Sequence, residues 1–387
     1  MPDFIIKSSV SELHSNWDSL AQDSVFLRKD FLSALAESLP VNMVNYYIEY
    51  FCDANLIGIA LFQHLSLKDI TPFQVDQINL KSKVSSWALN NFASSILFIG
   101  NNMMSGQNAF RFSSKIEPKD KYKLLDDSAK ALSKQLKTDG KKVHITVWKD
   151  FEQSESRQIE TYIFDEYFKF SIQPSMIFNL PTAAQSEADY VNLLSKKYRD
   201  QYKRARKKAT DIQKRQLSIS EIIYHQDRLA FLYSTTVSNA SFNTFHLPKN
   251  HFEILKKKLG TEFHLYAYFL ETELIGFNTI IKNGNILEPY FLGYDAKDQK
   301  SRLLYLNMLY DIVGYAVAKK FKTIAFGRTA LEIKSSVGAK PLELFGFIKH
   351  SNPVINLFVS KMFLSIEPKV DWKMRNPFKV DSTEQPI

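Results

Sequence analysis

Two stretches of this 387-residue chain repeat one pattern of residues, once in each half. They read YIEYFCDANLIGI (47–59) and LYAYFLETELIGF (265–277). Two apolar runs around a short polar stretch predict a β-hairpin in each. Strands favour the same residue types everywhere, so unrelated hairpins can look alike. The shared Leu-Ile-Gly at a fixed distance from a Tyr-Phe pair favours an internal repeat.

The order of the elements predicted after each hairpin is also the same. Both halves continue with a strand, a helix and a second strand: 94–100, 121–138 and 142–148, then 286–293, 301–320 and 322–327. Strands joined through a helix in this way form a right-handed parallel crossover. The sequence therefore predicts a duplicated α/β (α+β) domain with a mixed sheet, and the length suits two domains. The predicted parts are an N-terminal domain (1–180), a long basic helix (181–215) and a C-terminal domain (216–387).

Positive charge is concentrated in that helix. The net charge of the chain is +9, and residues 196–215 hold ten Lys and Arg against two Asp. Arg199, Lys203 and Arg206 belong to a basic band beside an apolar stripe, and the acidic partners that would pair at i+4 are nearly absent. The charge extends to another flank of the helix through Lys197, Arg204 and Lys208. A solvated helix face and an anion site both fit this pattern. The anion would be a phosphopantetheine nucleotide, tRNA, a nucleotide-linked lipid precursor or an anionic lipid.

Polar residues follow the last strand of the second half. Ligands of open α/β sheets bind at the carboxyl ends of strands, and strand 322–327 ends in Gly327 and Arg328. Gly327 would let the backbone approach a ligand closely. Arg328 and Lys334 would bind phosphate or carboxylate, with Lys340 nearby, and Glu332 would take a proton from an attacking amine. The alternative is a surface pair of Glu332 and Lys334 worth less than about 1 kcal/mol.

The chain resembles the GNAT acyltransferase fold, and in its doubled form the FemAB-like (BioF2-like) family. The resemblance rests on 173–208, on the hairpin with YFLGYD (266–295) and on IAFGRTALEIKSSVGAKPLELFGF (324–347). It implies transfer of an acyl group to an amine by direct attack. Because the second half has the richer set of polar residues, we place the chemistry in the C-terminal domain (216–387). The donor would be acyl-CoA or, as in Fem members, aminoacyl-tRNA with a peptidoglycan precursor as acceptor. The glycine-rich pyrophosphate loop is not matched in GYDAKDQKSRLLY (293–305), which leaves the donor open.

Several further residues are candidates for this chemistry. The resemblance implies that Tyr290 or Tyr294 donates a proton to the leaving group. Glu288 alternates faces with its neighbours and would point inward as a base. Asn243 and His246 lie on a predicted loop near the donor cleft. For both tyrosines and for His246, a structural role is the alternative interpretation.

Composition sets the remaining expectations. No apolar run approaches the ~20 residues of a transmembrane helix, the N-terminus lacks a secretory pattern, and Cys52 is the single cysteine. We therefore expect a cytoplasmic protein without disulfides, and we find no metal-ligand spacing. The predicted function is N-acyl transfer to a small-molecule or cell-envelope amine. The alternative is an inactive GNAT-fold protein that binds a polyanion: tRNA, anionic lipid through peripheral membrane contact, or a cell-envelope precursor.

Overall fold

The computed structural model describes residues 3–22, 24–68, 93–162, 166–171, 173–238, 243–361 and 371–379. The chain divides into two compact units. Unit 1 comprises Met1–Ile172, Asn243–Pro248 and Glu343–Lys369. Unit 2 comprises Gln173–Phe242, Lys249–Leu342 and Val370–Ile387. Each unit has its own mixed sheet and its own buried core, so the predicted α/β fold class is confirmed.

Unit 1 is built on a sheet of eight strands in the order β1-β2-β3-β4-β6-β15-β7, with β5 paired to β3. The strands are β1 (Asp3–Lys7), β2 (Met43–Cys52), β3 (Asn55–Ser66), β4 (Ser95–Ile99), β5 (Phe110–Phe112), β6 (Ile145–Phe151), β7 (Phe168–Ser171) and β15 (Phe345–His350). The helices are α1 (Trp17–Ala21), α2 (Lys29–Glu37), α3 (Pro118–Thr138), α4 (Gln153–Tyr162) and, late in the chain, α13 (Pro353–Asn356). Leu125, Ala129, Leu132 and Leu136 recur along one face of α3 and are buried against this sheet.

Unit 2 is built on a sheet of seven strands in the order β14-β8-β13-β12-β11-β10-β9. The strands are β8 (Ser175–Asn179), β9 (Ile212–Gln216), β10 (Phe263–Leu270), β11 (Glu273–Asn283), β12 (Ile286–Tyr294), β13 (Thr323–Gly327) and β14 (Lys340–Leu342). The helices are α5 (Glu187–Leu193), α6 (Lys196–Lys208), α7 (Ile219–Tyr224), α8 (Gln226–Ser238), α9 (His251–Leu259), α10 (Ala296–Arg302), α11 (Leu304–Ala318) and α12 (Leu331–Ser335). The mostly apolar α11 is buried along most of its length.

The internal repeat is present in atomic detail. In both hairpins a tyrosine pairs with a glycine, Tyr50 with Gly58 and Tyr268 with Gly276, and the register then shifts at the next residue. Both tyrosine hydroxyls bond the helix of the crossover. Tyr50 Oη lies 2.7 Å from Ser128 Oγ on α3, and Tyr268 Oη donates to Asp311 Oδ2 on α11 at 2.9 Å. Hairpin and crossover therefore form the same supersecondary unit twice.

The single long helix predicted for 181–215 is wrong. The chain breaks between α5 and α6, at Leu194 and Ser195. A tail segment pairs with it there, because Ser195 N donates to Pro377 O at 2.8 Å and Leu194 forms a β-bridge with Phe378. Tertiary pairing thus overrides a helical pattern that continues through the break.

The division of the chain also differs from the predicted 1–180, 181–215 and 216–387. β8 pairs with β13 and therefore belongs to unit 2, together with α5 and α6. β15 pairs with β6 and β7 and therefore belongs to unit 1. Strand pairing across long sequence separations decides these memberships. Among the described residues, no helix is both long enough and apolar enough to cross a bilayer.

Candidate functional site

The central strands of unit 2 separate at their carboxyl ends. β12 and β13 are parallel and pair only at Ile286 with Thr323 and at Leu287 with Ile324. Beyond Leu287, the edge of β12 that faces β13 has no strand partner among the described residues. Backbone N–H groups along that edge are therefore available to a ligand, since ladder groups that lack a strand must be satisfied otherwise.

A β-bulge lies in the separated part of β12. Asn278 of β11 is opposite Leu292, but Ile280 is opposite Pro289, so two residues of β12 face Thr279 alone. Phe291 N donates to Thr279 Oγ1 at 2.9 Å and thus turns toward β11. Because successive peptide groups of a strand point to opposite edges, the N–H of Leu292 points toward β13.

Glu288 precedes the bulge. Its side chain is half-buried, and burial raises the pKa of the carboxyl group to about 7. Asn283 Nδ2 lies 3.5 Å from Glu288 Oε1. A carboxyl group with a pKa near neutrality exchanges protons readily at physiological pH, which suits a general base.

The two candidate tyrosines of β12 have different surroundings. Tyr290 Oη lies 3.2 Å from Nε2 of the buried His251. Burial raises the pKa of the Tyr290 hydroxyl well above 10. Tyr294, at the end of β12, packs its ring on Tyr305 at a centroid distance of 5.9 Å. Burial raises the pKa of Tyr294 as well, so both hydroxyls carry their protons at neutral pH.

A cavity of about 650 Å³ lies within unit 2. Its walls come from α6, from the first turn of α11, from the segment after β13 and from the tail. The lining residues are Lys197, Tyr198, Gln201, Arg204, Lys208, Leu303, Leu306, Glu332, Ile333, Ser336 and Arg375. Four of these are cations and one is an anion, so the cavity favours a negatively charged ligand.

The residues of the predicted basic band do not line this cavity. Arg206 is held inside unit 2, because Nη2 pairs with Glu187 at 2.6 Å and Nη1 with Asp311 at 2.8 Å. Arg199 and Lys203 do not line the cavity. The opposite flank of α6 faces it instead, with Lys197, Arg204 and Lys208.

Glu332 is engaged by the tail. Its Oε1 accepts from Arg375 Nε at 3.0 Å and also from Arg375 Nη2. The bond from Arg375 holds the pKa of Glu332 below its ordinary value. A carboxylate with a low pKa is a poor proton acceptor, so the structure does not favour the predicted role of Glu332 as a base.

The buried side chain of Lys334 fixes the loop after β13 through hydrogen bonds to its backbone. Gly327, Thr329 and Ala330 have φ values of 68°, 67° and 48°, a conformation that costs energy for Thr and Ala. The buried Lys334 Nζ donates to the carbonyls of Phe326 (2.8 Å), Gly327 (3.3 Å) and Arg328 (2.6 Å). Its three protons are thus used within the chain, and burial lowers its pKa to about 7. The predicted ligand contact of Lys334 is therefore not seen.

Lys334→Met is expected to lower the free energy of unfolding by about 3 kcal/mol, because three main-chain carbonyls lose their donor. Lys340 is exposed on β14, so Lys340→Met should change stability by less than about 0.5 kcal/mol. Urea unfolding of the two variants measures the difference. A stable Lys334→Met protein with impaired ligand binding would instead support the role that the sequence predicts.

The remaining predicted residues lie in separate places. Gly327 ends β13, and the half-buried Arg328 donates from Nε to Gln173 O at 2.9 Å. Asn243 and His246 belong to unit 1, although they lie within the predicted C-terminal domain (216–387). Asn42 Nδ2 and Asn102 Nδ2 donate to Thr244, which fixes that segment on unit 1.

Comparison with known proteins identifies the fold. Neither a family model nor a curated protein matches the chain. Among solved structures, FemX aligns over 95% of this chain and 100% of its own, with a TM-score of 0.54 and 12% identity. A tandem GNAT protein from the clavulanic acid biosynthesis pathway aligns over 91% of this chain and 99% of its own (TM-score 0.50, 8% identity). The chain has the FemAB-like tandem GNAT fold.

A third structure has the same fold. It is the C-terminal domain of a putative lysylphosphatidylglycerol synthetase from Agrobacterium fabrum, which aligns over 94% of this chain and 100% of its own. The TM-score is 0.51 and the identity is 7%. At such identities the likeness shows the fold alone.

In unit 1, β4 and β6 occupy the places that β12 and β13 have in unit 2, but they do not separate. β4 pairs with β6 along Ile96–Ile99, up to its last residue. The loop that follows is fastened to β6, because the buried Lys149 Nζ donates to Asn101 O (3.2 Å), Met104 O (2.6 Å) and Asp150 Oδ2 (2.6 Å). The open strand edge and the cationic cavity are both in unit 2, which is where the sequence placed the chemistry.

Sequence reasoning did not single out several residues of the candidate site. Lys197, Gln201, Arg204 and Lys208 are spaced as one face of a helix, and that spacing could have identified them. Arg375 is 43 residues from Glu332, and no local signal connects them. Thr279 contacts β12 from the neighbouring strand and His251 contacts it from α9, and the sequence reveals neither contact. The described residues contain no group of three or more His, Cys, Asp or Glu that could hold a metal ion.

Proposed function

We propose that this protein is an N-acyltransferase in which unit 2 binds an anionic, phosphorylated acyl donor and transfers its acyl group to an amine. The observation that carries the proposal is the open edge of β12 in the same unit as a cationic cavity. The cavity lies beside segments that follow β12 and β13, where ligands of α/β sheets bind. The FemAB-like tandem GNAT fold supports the same class of reaction.

The reaction can be assigned to groups on this chain. The donor carbonyl accepts a hydrogen bond from Leu292 N–H, which stabilises the oxyanion that forms when the amine nitrogen attacks. Glu288 takes the proton that the amine loses as the new C–N bond forms. The bond between the carbonyl carbon and the carrier then breaks, and Tyr294 donates a proton to the leaving group. Unit 2 holds donor and acceptor together, which lowers the entropic part of the barrier.

The charged part of the donor is placed in the cavity. Arg204 and Lys208 lie on its α6 wall, and Arg375 enters from the tail. Arginine forms bidentate hydrogen bonds with phosphate. Tyr198 and Leu306 add aromatic and aliphatic walls that suit a nucleotide. Acyl-CoA and aminoacyl-tRNA both carry these features, and a small-molecule or cell-envelope amine is the acceptor.

Replacing Arg204 and Lys208 together by glutamine is expected to weaken donor binding about 30-fold, since two charge-assisted contacts are lost. The matched control is Lys203→Gln with Lys207→Gln, which removes two exposed cations of the same helix outside the cavity. Both should be measured by calorimetric titration with acetyl-CoA and with charged tRNA at two salt concentrations. Equal loss in the two double variants would show that only the general charge of α6 matters.

Transfer itself is tested by incubating the protein with acetyl-CoA, a long-chain acyl-CoA or charged tRNA and a panel of amines. Mass spectrometry of the amines reports the product. An acylated amine above the protein-free background supports the proposal. Binding of tRNA or anionic vesicles without any product would favour the second candidate, an inactive polyanion binder, to which the many exposed cations of α6 point.

A further inference from the structure

The bulge in β12 is held by one side chain of the neighbouring strand. Thr279, fully buried on β11, accepts from Phe291 N at 2.9 Å and donates to Phe291 O at 2.7 Å. A threonine hydroxyl has one proton to donate and lone pairs to accept. The Thr279 hydroxyl uses its proton and one lone pair to bind the main chain of Phe291.

The Thr279 hydroxyl replaces backbone hydrogen bonds that are lost at the bulge. An extra residue in one strand leaves ladder groups unpaired and lets the strand bend. Thr279 satisfies the N–H and C=O of Phe291 that regular pairing would otherwise satisfy. Because Thr279 is β-branched, its side chain has little freedom in χ1. The hydroxyl therefore fixes the orientation of the Phe291 peptide more firmly than a flexible side chain would.

The orientation of Phe291 determines that of the next peptide group. With both polar groups of Phe291 turned toward β11, Leu292 N–H is directed to the open edge that faces β13. An oxyanion donor contributes only if it already points at the reacting oxygen before the reaction begins. If this peptide group rotated, Leu292 N–H would no longer lie within hydrogen-bonding distance of the reacting oxygen, and the rate would fall strongly.

We propose that Thr279 is a positioning residue for acyl transfer, which holds the bulge at Tyr290–Phe291 so that Leu292 N–H points at the acyl carbonyl of the donor. This rests on the proposed function. Thr279 touches neither donor nor acceptor in the proposed arrangement. It acts through the main chain of β12, and its effect is on the chemical step.

Thr279→Val keeps the shape of the side chain and removes the hydroxyl. We expect kcat to fall about 30-fold while KM for the donor changes less than about twofold, because the oxyanion contact strengthens in the transition state. Thr279→Ser restores the hydroxyl and should recover most of kcat. Ile280→Val, the next residue on β11 and also buried, removes one carbon and should keep wild-type kcat.

Amide hydrogen exchange of residues 288–294 tests the contact without any turnover. Exchange in this segment should be faster in Thr279→Val than in wild type, Thr279→Ser or Ile280→Val. Wild-type kcat in Thr279→Val, or failure of Thr279→Ser to restore it, would overturn the positioning role. Unchanged exchange would show that the hydroxyl does not hold the bulge. Absence of transfer by the wild-type protein would instead overturn the proposed function, whatever the exchange result.

Discussion

Glu288→Gln is expected to lower kcat about 300-fold, because glutamine cannot take the proton that the amine loses. For the proposed transfer, the wild-type protein should show kcat/KM rising with pH through about 7, where Glu288 ionises. The residual activity of the variant should lack this limb. Initial rates measured between pH 5.5 and 9 for both proteins provide the test.

The free energy of unfolding should fall as the pH rises, whereas kcat/KM should increase. Burial raises the pKa of Glu288 from 4.5 to about 7, so the folded protein binds this proton more tightly than the unfolded chain. The stability that the neutral group confers below pH 4.5 is lost as pH rises to about 7. Glutamine does not ionise, so Glu288→Gln should be at least as stable as wild type at pH 8. Thermal unfolding at pH 5 and pH 8 measures this difference.

A matched control separates the catalytic effect from a general change of charge. Glu273 begins β11 in the same unit, is exposed, and pairs with Arg228 at 3.0 Å. Glu273→Gln should keep wild-type turnover and the wild-type pH profile. If Glu288→Gln also keeps both, Glu288 is not the base, and a water molecule or another group must accept the proton.

Gly293→Ala is expected to destabilise unit 2 by about 3 kcal/mol. Gly293 lies on β12, one residue before Tyr294, where the backbone of α8 crosses closely. A Cβ atom would lie 2.6 Å from both Leu232 O and Tyr233 N. These are main-chain atoms that cannot rotate away, so helix and strand would have to separate. Urea unfolding followed by tryptophan fluorescence and circular dichroism should show the loss.

Gly314→Ala is the control for this substitution. Gly314 lies in α11 of the same unit, and a Cβ atom there would meet only the end of the Glu187 side chain, 3.0 Å away. Arg206 and Tyr202 bind Glu187 through Oε1, so the contacting Oε2 needs to shift by only a few tenths of an ångström. Alanine also favours a helix over glycine by about 1 kcal/mol. We therefore expect a change of less than about 1 kcal/mol. Equal stability of the two alanine variants would contradict the close packing of α8 on β12.

The repeated supersecondary unit could be predicted from the sequence because its signals are local. Alternating apolar residues around a short turn define each hairpin, and a 3.6-residue period defines α3. The predicted strand 286–293 and helix 121–138 correspond to β12 and α3. Two copies in the same order were enough to indicate a duplicated mixed α/β domain and to suggest the GNAT fold.

The residues of the site were harder to predict because they depend on which flank of an element faces inward. The basic charge of α6 was evident, but both flanks carry Lys and Arg. Only the ion pairs of Arg206 with Glu187 and Asp311 show which flank packs on α11. The cavity consequently lies against Arg204 and Lys208. Lys334 was misjudged for the same reason, since no local pattern shows that its ammonium group turns into the protein.

The sequence by itself determined the type of supersecondary unit, its duplication and the half of the chain that is richer in polar groups, since these follow from short-range patterns of apolarity and charge. The tertiary structure decided that β15 joins the first sheet, that the tail interrupts a helix at Leu194, and that β12 and β13 part after two residue pairs. Contacts of this kind join residues far apart in sequence. Their free energy comes from packing and hydrogen bonding between elements, which no local pattern records.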